Sequence, residues 1–209
     1  MGAGSSTEEL VWAAVAAERA SLTELLRGLS DDQWDHPSLC EGWRVRDVVA
    51  HILLTSQAKL GWLLRQVARA RGSVARMNFD TAIRYADSRS PRALTDELHA
   101  IIDIRHTPLS TNAVDRLMDL LVHGQDIAVP LGIRRDMPVD AARWSVERVW
   151  QGGWPFHARR QLAGHRLTAT DTDWSAGSGT PIAAPIADLL LLVTSRIPAP
   201  DQARRHGTD

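Results

Sequence analysis

What this chain of 209 residues lacks narrows its class before any motif is read. A single cysteine, Cys40, excludes an intrachain disulfide framework and a cysteine-rich zinc module. No stretch approaches the roughly 20 apolar residues that a membrane-spanning helix requires, and the N-terminus has no basic region leading into a hydrophobic one. The expectation is a reduced, cytoplasmic protein with no membrane partner. Lys59 is the lone lysine, and the formal net charge is only -1. Nothing in that balance favours a sequence-independent grip on nucleic acid. Phenylalanine and tyrosine are scarce (two and one), whereas tryptophan occurs eight times. Large amphipathic rings of that kind often line clefts.

What is present is mostly helical pattern. Residues 1–6 are small and flexible, and disorder is expected there. From Thr7 to about Gly28, Leu10, Val11, Val15, Leu22 and Leu26 recur at helical spacing, with Glu18 as a charged interruption inside the stripe. Ser30 to Pro37 reads as a turn or short helix. A second helix is predicted from about Val45 to Arg71, then a short one over Asn78 to Ala86. A third runs from Pro91, at a favourable first position, to Ile104. Thr107 to Ser110 reads as a tight connection, and a fourth helix from Thr111 to about Val129 stops at Pro130. Long helices with short connections are the mark of a four-helix bundle.

After Met137 the character changes. Pro138 to Trp150 and Trp154 to Leu162 read as helices, HRLTATDTDW as a strand, SAGSGTP as a glycine-rich turn, and Ala184 to Arg196 as a buried helix. The division expected is a disordered N-terminus over 1–6, a metal-binding bundle over 7–137, a small α/β region over 138–197 and a disordered tail over 198–209.

The stretch MDLLVHGQD, Met118 to Asp126, carries the chemistry. At about 3.6 residues per turn, Asp119 and His123 share one helix face about one turn apart. A carboxylate and an imidazole so placed can grip one metal ion, and His51 in DVVAHILLT is the best supplier of a third ligand. The competing reading is two partly exposed histidines on ordinary helices. A helical wheel puts Asp119, His123 and Asp126 opposite the stripe Ala113, Val114, Leu117, Leu121 and Ala128. His51 sits with Asp47 and Thr55, opposite Val49, Leu53, Leu60 and Leu64. Such a face is either solvated or a covered cleft. Val48, Leu54 and Trp62 near His51, and Leu120, Val122 and Ile127 near His123, favour a cleft with the C-terminal region as its cover.

Other residues have competing readings. Asp126 either orients His123 or is a surface carboxylate. Asp47 is best explained by the helix dipole. Gly124 either makes room at the metal or allows close helix packing. Cys40 either reaches the cleft or, the favoured reading, is a buried, inert thiol, and Trp43 is expected to anchor its loop. Trp154 and Trp174 are read as packing, with cofactor contact as the alternative. The remaining histidines have no partner at ligand spacing.

CEGWRVRDVVAHILL followed by DLLVHGQDIAVPLG resembles the mycothiol-dependent maleylpyruvate isomerase family, within the DinB-like metalloprotein superfamily. RQLAGHRLTATDTDWSAGSGTPIAAPIADLLLLVTSR is similar to that family's smaller second region, so the resemblance spans the first helix to about Arg196. It implies a mainly α protein, a DinB-like four-helix bundle with a small α/β C-terminal region. It also implies zinc or a related divalent ion, with mycothiol or a similar thiol as cosubstrate. His51 and His123 match the family's histidines, and Asp119 stands at its glutamate position, one methylene shorter. Arg196 matches an arginine that holds an anionic substrate. The expected function is isomerisation or S-transfer on a small electrophile, by a monomer or homodimer. The alternatives are a non-catalytic metal- or ligand-binding protein and a metal-dependent hydrolase, with water at the open position.

Overall fold

Local chemistry sets several of the helix starts. The computed structural model describes residues 3–57, 60–107, 111–153 and 155–199. Expectations for Trp154, for the connection through 108–110, for the tail from 200 and for the side chains of Leu60, Trp62 and Leu64 lie outside what is described. The chain divides into two compact units, Met1–Arg135 and Asp136–Asp209.

In the first unit, α1 spans Ala3–Arg27 and so starts inside the stretch expected to be disordered. The run Ala3-Gly4-Ser5-Ser6 contains no proline, and helix once nucleated downstream propagates at little cost per residue. Helix α2 (Asp31–Trp34) opens on a capping box of Ser30 and Gln33. Helices α3 (Val45–Gln57) and α4 (Leu60–Arg69) lie within the span read as one helix. Helix α5 (Val74–Asp87) is longer than expected because Ser73 caps it through Arg76 N. Helix α6 (Pro91–Ala100) is shorter than expected, and Arg19 supplies the reason. Its Nη1 donates to the carbonyls of Ile101 and Ile104, each at 2.7 Å, and so takes up acceptors beyond the last helical turn. Helix α7 (Ala113–Ala128) opens on a capping box of Asn112 and Asp115.

Helix α1 packs on α6 and α7, and α3 packs on α5, α6 and α7. The core between them is the apolar stripe that the periodicity predicts: Val15, Leu22 and Leu26 of α1, Val49 and Leu53 of α3, Leu94 and Leu98 of α6, Leu117 and Leu121 of α7. Leu10, counted in that stripe, is instead exposed. Glu18 interrupts the stripe because it is held in a buried ion pair. Its carboxylate pairs with Arg135 Nη2 at 2.7 Å, both side chains buried.

Among the described residues, the second unit contains α8 (Val139–Gln151), α9 (Ala158–Gln161), three strands and α10 (Ile186–Val193). The single strand expected is β1 (His165–Ala169). The sequence reading missed two more, β2 (Ser175–Gly177) and β3 (Thr180–Ala184), which take up the expected glycine-rich turn except for Ser178 and Gly179. The sheet order is β2-β1-β3, with β2 antiparallel and β3 parallel to β1. The chain must therefore cross from one edge of β1 to the other within two residues, Ser178 and Gly179. Gly179 has φ +117 and passes so near that a Cβ would lie 2.1 Å from Gly164 O, so only glycine fits there. Helix α10 packs on α8 and β1. Trp174 donates from Nε1 to Glu147 at 2.6 Å and meets Trp150 edge-on, so it is a packing residue. The chain thus forms the mainly α fold expected, a helical bundle with a small α/β C-terminal region. Among the described residues, no helix is long and apolar enough to cross a membrane.

Candidate metal centre

Helices α3 and α7 are each held by their apolar residues, and this packing turns one edge of each toward the other. His51 projects from α3 one turn before Thr55, while Asp119 and His123 stand one turn apart on α7. His51 Nε2 lies 3.7 Å and His123 Nε2 3.5 Å from Asp119 Oδ1. The three donor atoms all fall within 4.8 Å of one another. Metal–donor bonds of about 2.0–2.2 Å around a tetrahedral ion separate neighbouring donors by roughly 3.3–3.6 Å. The two spacings to Asp119 lie at or near those between donors around one divalent ion, so these residues could hold one.

The face is buried rather than solvated. His51 and Asp119 side chains are 12% and 18% exposed, His123 is 8% exposed, and Asp126 is wholly buried. Within the first unit, the loop before α3 supplies cover. Leu39 N donates to Asp126 O at 3.0 Å, and the Trp43 ring lies 5.2 Å from His51 and 6.5 Å from His123, centroid to centroid.

Neighbours hold the remaining atoms of the α7 pair. Asp119 Oδ2 accepts from Arg116 Nη1 at 3.0 Å and lies 3.2 Å from Thr55 Oγ1, which itself accepts from Arg116 at 2.8 Å. His123 Nδ1 lies 2.8 Å from Asp126 Oδ2. Cys40 Sγ is 3.1 Å from that same oxygen and 3.8 Å from His123 Nδ1. Cys40 is half-buried rather than buried as expected from the sequence, and it reaches the edge of the cluster. The surface-carboxylate reading of Asp126 is overturned, because the loop and α7 enclose it.

The three donors differ in charge. Burial disfavours the imidazolium of His123, but Asp119, Asp126 and Cys40 outweigh it and hold its pKa well above the ordinary value. Burial also opposes ionisation of Asp119, yet His123 and His51 hold its carboxyl well below the usual range. For His51, burial dominates the pull of Asp119 and keeps the ring neutral to lower pH. The cluster thus combines a carboxylate, a cationic ring and a neutral ring, and the proton on His123 occupies the role a metal cation would take.

The other singled-out residues have structural duties. Asp47 accepts from Arg44 N, Nε and Nη2 at 2.8–2.9 Å, so it closes the start of α3 rather than serving the dipole alone. Gly124 makes room for Arg135, whose Nε would lie 2.8 Å from an added Cβ. Arg196 follows α10, donates to Thr194 O at 3.0 Å, and lines a cavity of about 260 Å³ with Gln161, Leu162 and Leu192. Sequence reasoning missed Arg116, and put Thr55 on the face of His51 without giving it a role. Helical spacing was the available signal, since Arg116 lies three residues before Asp119 and Thr55 four after His51. Cys40 offered no such signal, because a loop has no period.

Residues 15–113 match the family model described as the mycothiol maleylpyruvate isomerase N-terminal domain. A crystal structure of the mycothiol-dependent maleylpyruvate isomerase superposes with a TM-score of 0.63 at 15% identity, covering 90% of this chain and 89% of that one. A histidine-to-alanine mutant of that isomerase superposes with a TM-score of 0.62 at 14% identity, with the same coverage. Comparison with curated proteins gives no match. The family resemblance drawn from the sequence is borne out over residues 15–113, and the fold is shared over nine-tenths of the chain.

Proposed function

On the premise that this chain is of the mycothiol maleylpyruvate isomerase family, as the match over residues 15–113 supports, we propose that it is a divalent-metal-dependent enzyme using a low-molecular-weight thiol. The thiol is mycothiol or one of similar chemistry. The reaction is isomerisation or S-transfer on a small electrophile, in the cytoplasm. The convergence of His51 Nε2, Asp119 Oδ1 and His123 Nε2 carries the reading. These residues would hold the ion, and two imidazoles with a carboxylate suit zinc best. Three protein donors leave a coordination position open. With ion and thiol bound there, the site supplies a thiolate nucleophile at neutral pH, which both reaction types need.

The chain's own residues set the conditions. Burial keeps His51 neutral and available as a donor. Arg116 and Thr55 occupy Asp119 Oδ2 and leave Oδ1 for the ion. Trp43 walls the cluster with an apolar ring, which lowers the local dielectric and strengthens every charge interaction there. Arg196 is assigned the carboxylate of an anionic substrate, through the bidentate fork its guanidinium presents.

Metal analysis of protein purified without an affinity tag tests the proposal. Wild type should carry about one divalent ion per chain, and His51→Ala and His123→Ala should each lose it. If both variants keep wild-type metal content, the site is wrong. The loaded protein is then mixed with mycothiol and a panel of electrophiles. Thiol-dependent turnover is expected. Thiol binding without turnover would favour a binding protein, and turnover without thiol would favour a hydrolase.

A further inference from the structure

Two groups of potential ligands meet at His123: His51, Asp119 and His123 through its Nε2, and Cys40, Asp126 and His123 through its Nδ1. Their spacings separate them. The first group stands at 3.5 and 3.7 Å, as donors around one ion do. In the second, Nδ1 and Oδ2 are 2.8 Å apart, which is hydrogen-bond length and shorter than the roughly 3.3 Å that tetrahedral metal geometry imposes. We infer that Asp126, with the Cys40 thiol as its donor, is the positioning residue of the metal centre, and that Cys40 is not itself a metal ligand. The inference rests on the metal reading proposed above.

An ionised carboxylate only accepts, so its bond to His123 requires the hydrogen on Nδ1. The proton an ion displaces is then the one on Nε2, the nitrogen that faces Asp119, and the lone pair is freed there. Asp126 thereby selects the tautomer, fixes the ring plane and makes Nε2 a stronger donor. By the same rule the Cys40 thiol is the donor in its contact with Oδ2. The thiol occupies another acceptor site of the oxygen that serves His123 and keeps it from swinging away. The loop is built for this placement. Ser38 Oγ accepts from Cys40 N at 3.1 Å and donates to Trp43 O at 2.8 Å, while Leu39 N ties the loop to the backbone of Asp126 itself.

Zinc affinity of the full, metal-stripped chain, measured by chelator competition, tests this together with the cobalt(II) spectrum. Asp126→Asn keeps the shape and removes the charge, and should bind zinc roughly 10- to 100-fold more weakly than wild type. Cys40→Ser retains a donor and should match wild type, whereas Cys40→Ala should weaken binding by about three- to tenfold. The cobalt protein should show no thiolate-to-metal charge-transfer band. Wild-type affinity in Asp126→Asn overturns the inference, as does a charge-transfer band that vanishes in Cys40→Ser. If Asp126→Asn fails to fold by circular dichroism, the cysteine pair decides, and equal affinities for Ala and Ser overturn it. A wild type that binds no zinc brings down the metal reading and this inference together. Wild-type binding lost in His123→Ala but kept in Asp126→Asn leaves the metal reading standing and removes only the positioning role.

Discussion

Glu18 and Arg135 form an ion pair 2.7 Å long between two side chains each 7% exposed. The pair explains the charged residue inside the apolar stripe of α1, and it also explains Gly124 on α7, against which Arg135 lies. Arg135 is pinned further by Ser21 Oγ at 2.9 Å, and Gln125 Nε2 donates to its carbonyl at 2.7 Å.

Removing one partner leaves the other charge buried and alone. Glu18→Ala should therefore destabilise the protein by about 3 kcal/mol, read from urea unfolding. Gly124→Ala should destabilise it too, by about 1–2 kcal/mol, although alanine ordinarily favours a helix interior over glycine by about 1 kcal/mol. A stabilised Gly124→Ala would mean that Arg135 yields freely, and that the pair does not hold α1 to α7.

Metal affinity should fall as pH is lowered, and uptake should release protons. His123 gains its proton in the folded, metal-free protein, with its pKa raised well above 6.5. An ion must displace that proton. A raised histidine pKa stabilises the metal-free fold below the ordinary value, and this contribution disappears as pH rises through the raised one. Chelator-treated protein should thus lose part of its stability on the alkaline side of 6.5, and metal-loaded protein should not. Calorimetric titration in buffers of different ionisation enthalpy measures the protons released. An uptake that releases none would contradict the charge assignment.

Arg116→Met removes the guanidinium from Asp119 and Thr55 inside the bundle. The metal-free variant should be less stable by about 2–3 kcal/mol, since a largely buried carboxylate loses a charged partner. Zinc should raise its melting temperature more than it raises that of wild type, because the ion supplies the missing positive charge. A smaller rise than in wild type would mean that orienting Asp119 matters more than neutralising it.

Gly179→Ala should destabilise the second unit by at least about 3 kcal/mol. Its φ of +117 lies in a region essentially closed to other residues, and the new Cβ would strike Gly164 O. Thermal unfolding followed by tryptophan fluorescence reports this through Trp150 and Trp174, which flank the sheet. An unchanged melting temperature would show that the crossover beneath β1 can relax.

Much of the fold was legible because helices and caps are local. Pro91 announces α6, and α7 begins within two residues of the Thr111 at which the pattern started it. The ends were misjudged where a distant group intervened, as Arg19 does beyond α6. Strands β2 and β3 escaped because three- and five-residue strands beside glycines carry too little alternation to register. The candidate centre was half legible. Spacing on α7 brought Asp119 and His123 together, but placed Asp126 on a face open to either reading. The wheel treats each helix alone and cannot tell solvent from a neighbour.

By itself, then, the sequence determined the helices, their caps, and the placing of Asp119 and His123 one turn apart, since each depends on residues within about four positions. Only the tertiary structure decided which polar face is buried, which nitrogen of His123 faces the donor set, and that Cys40 meets a carboxylate 86 residues away. Glu18 found its cation 117 residues on for the same reason. Periodicity records how a helix turns about its own axis, and nothing in it records which neighbour that axis will meet.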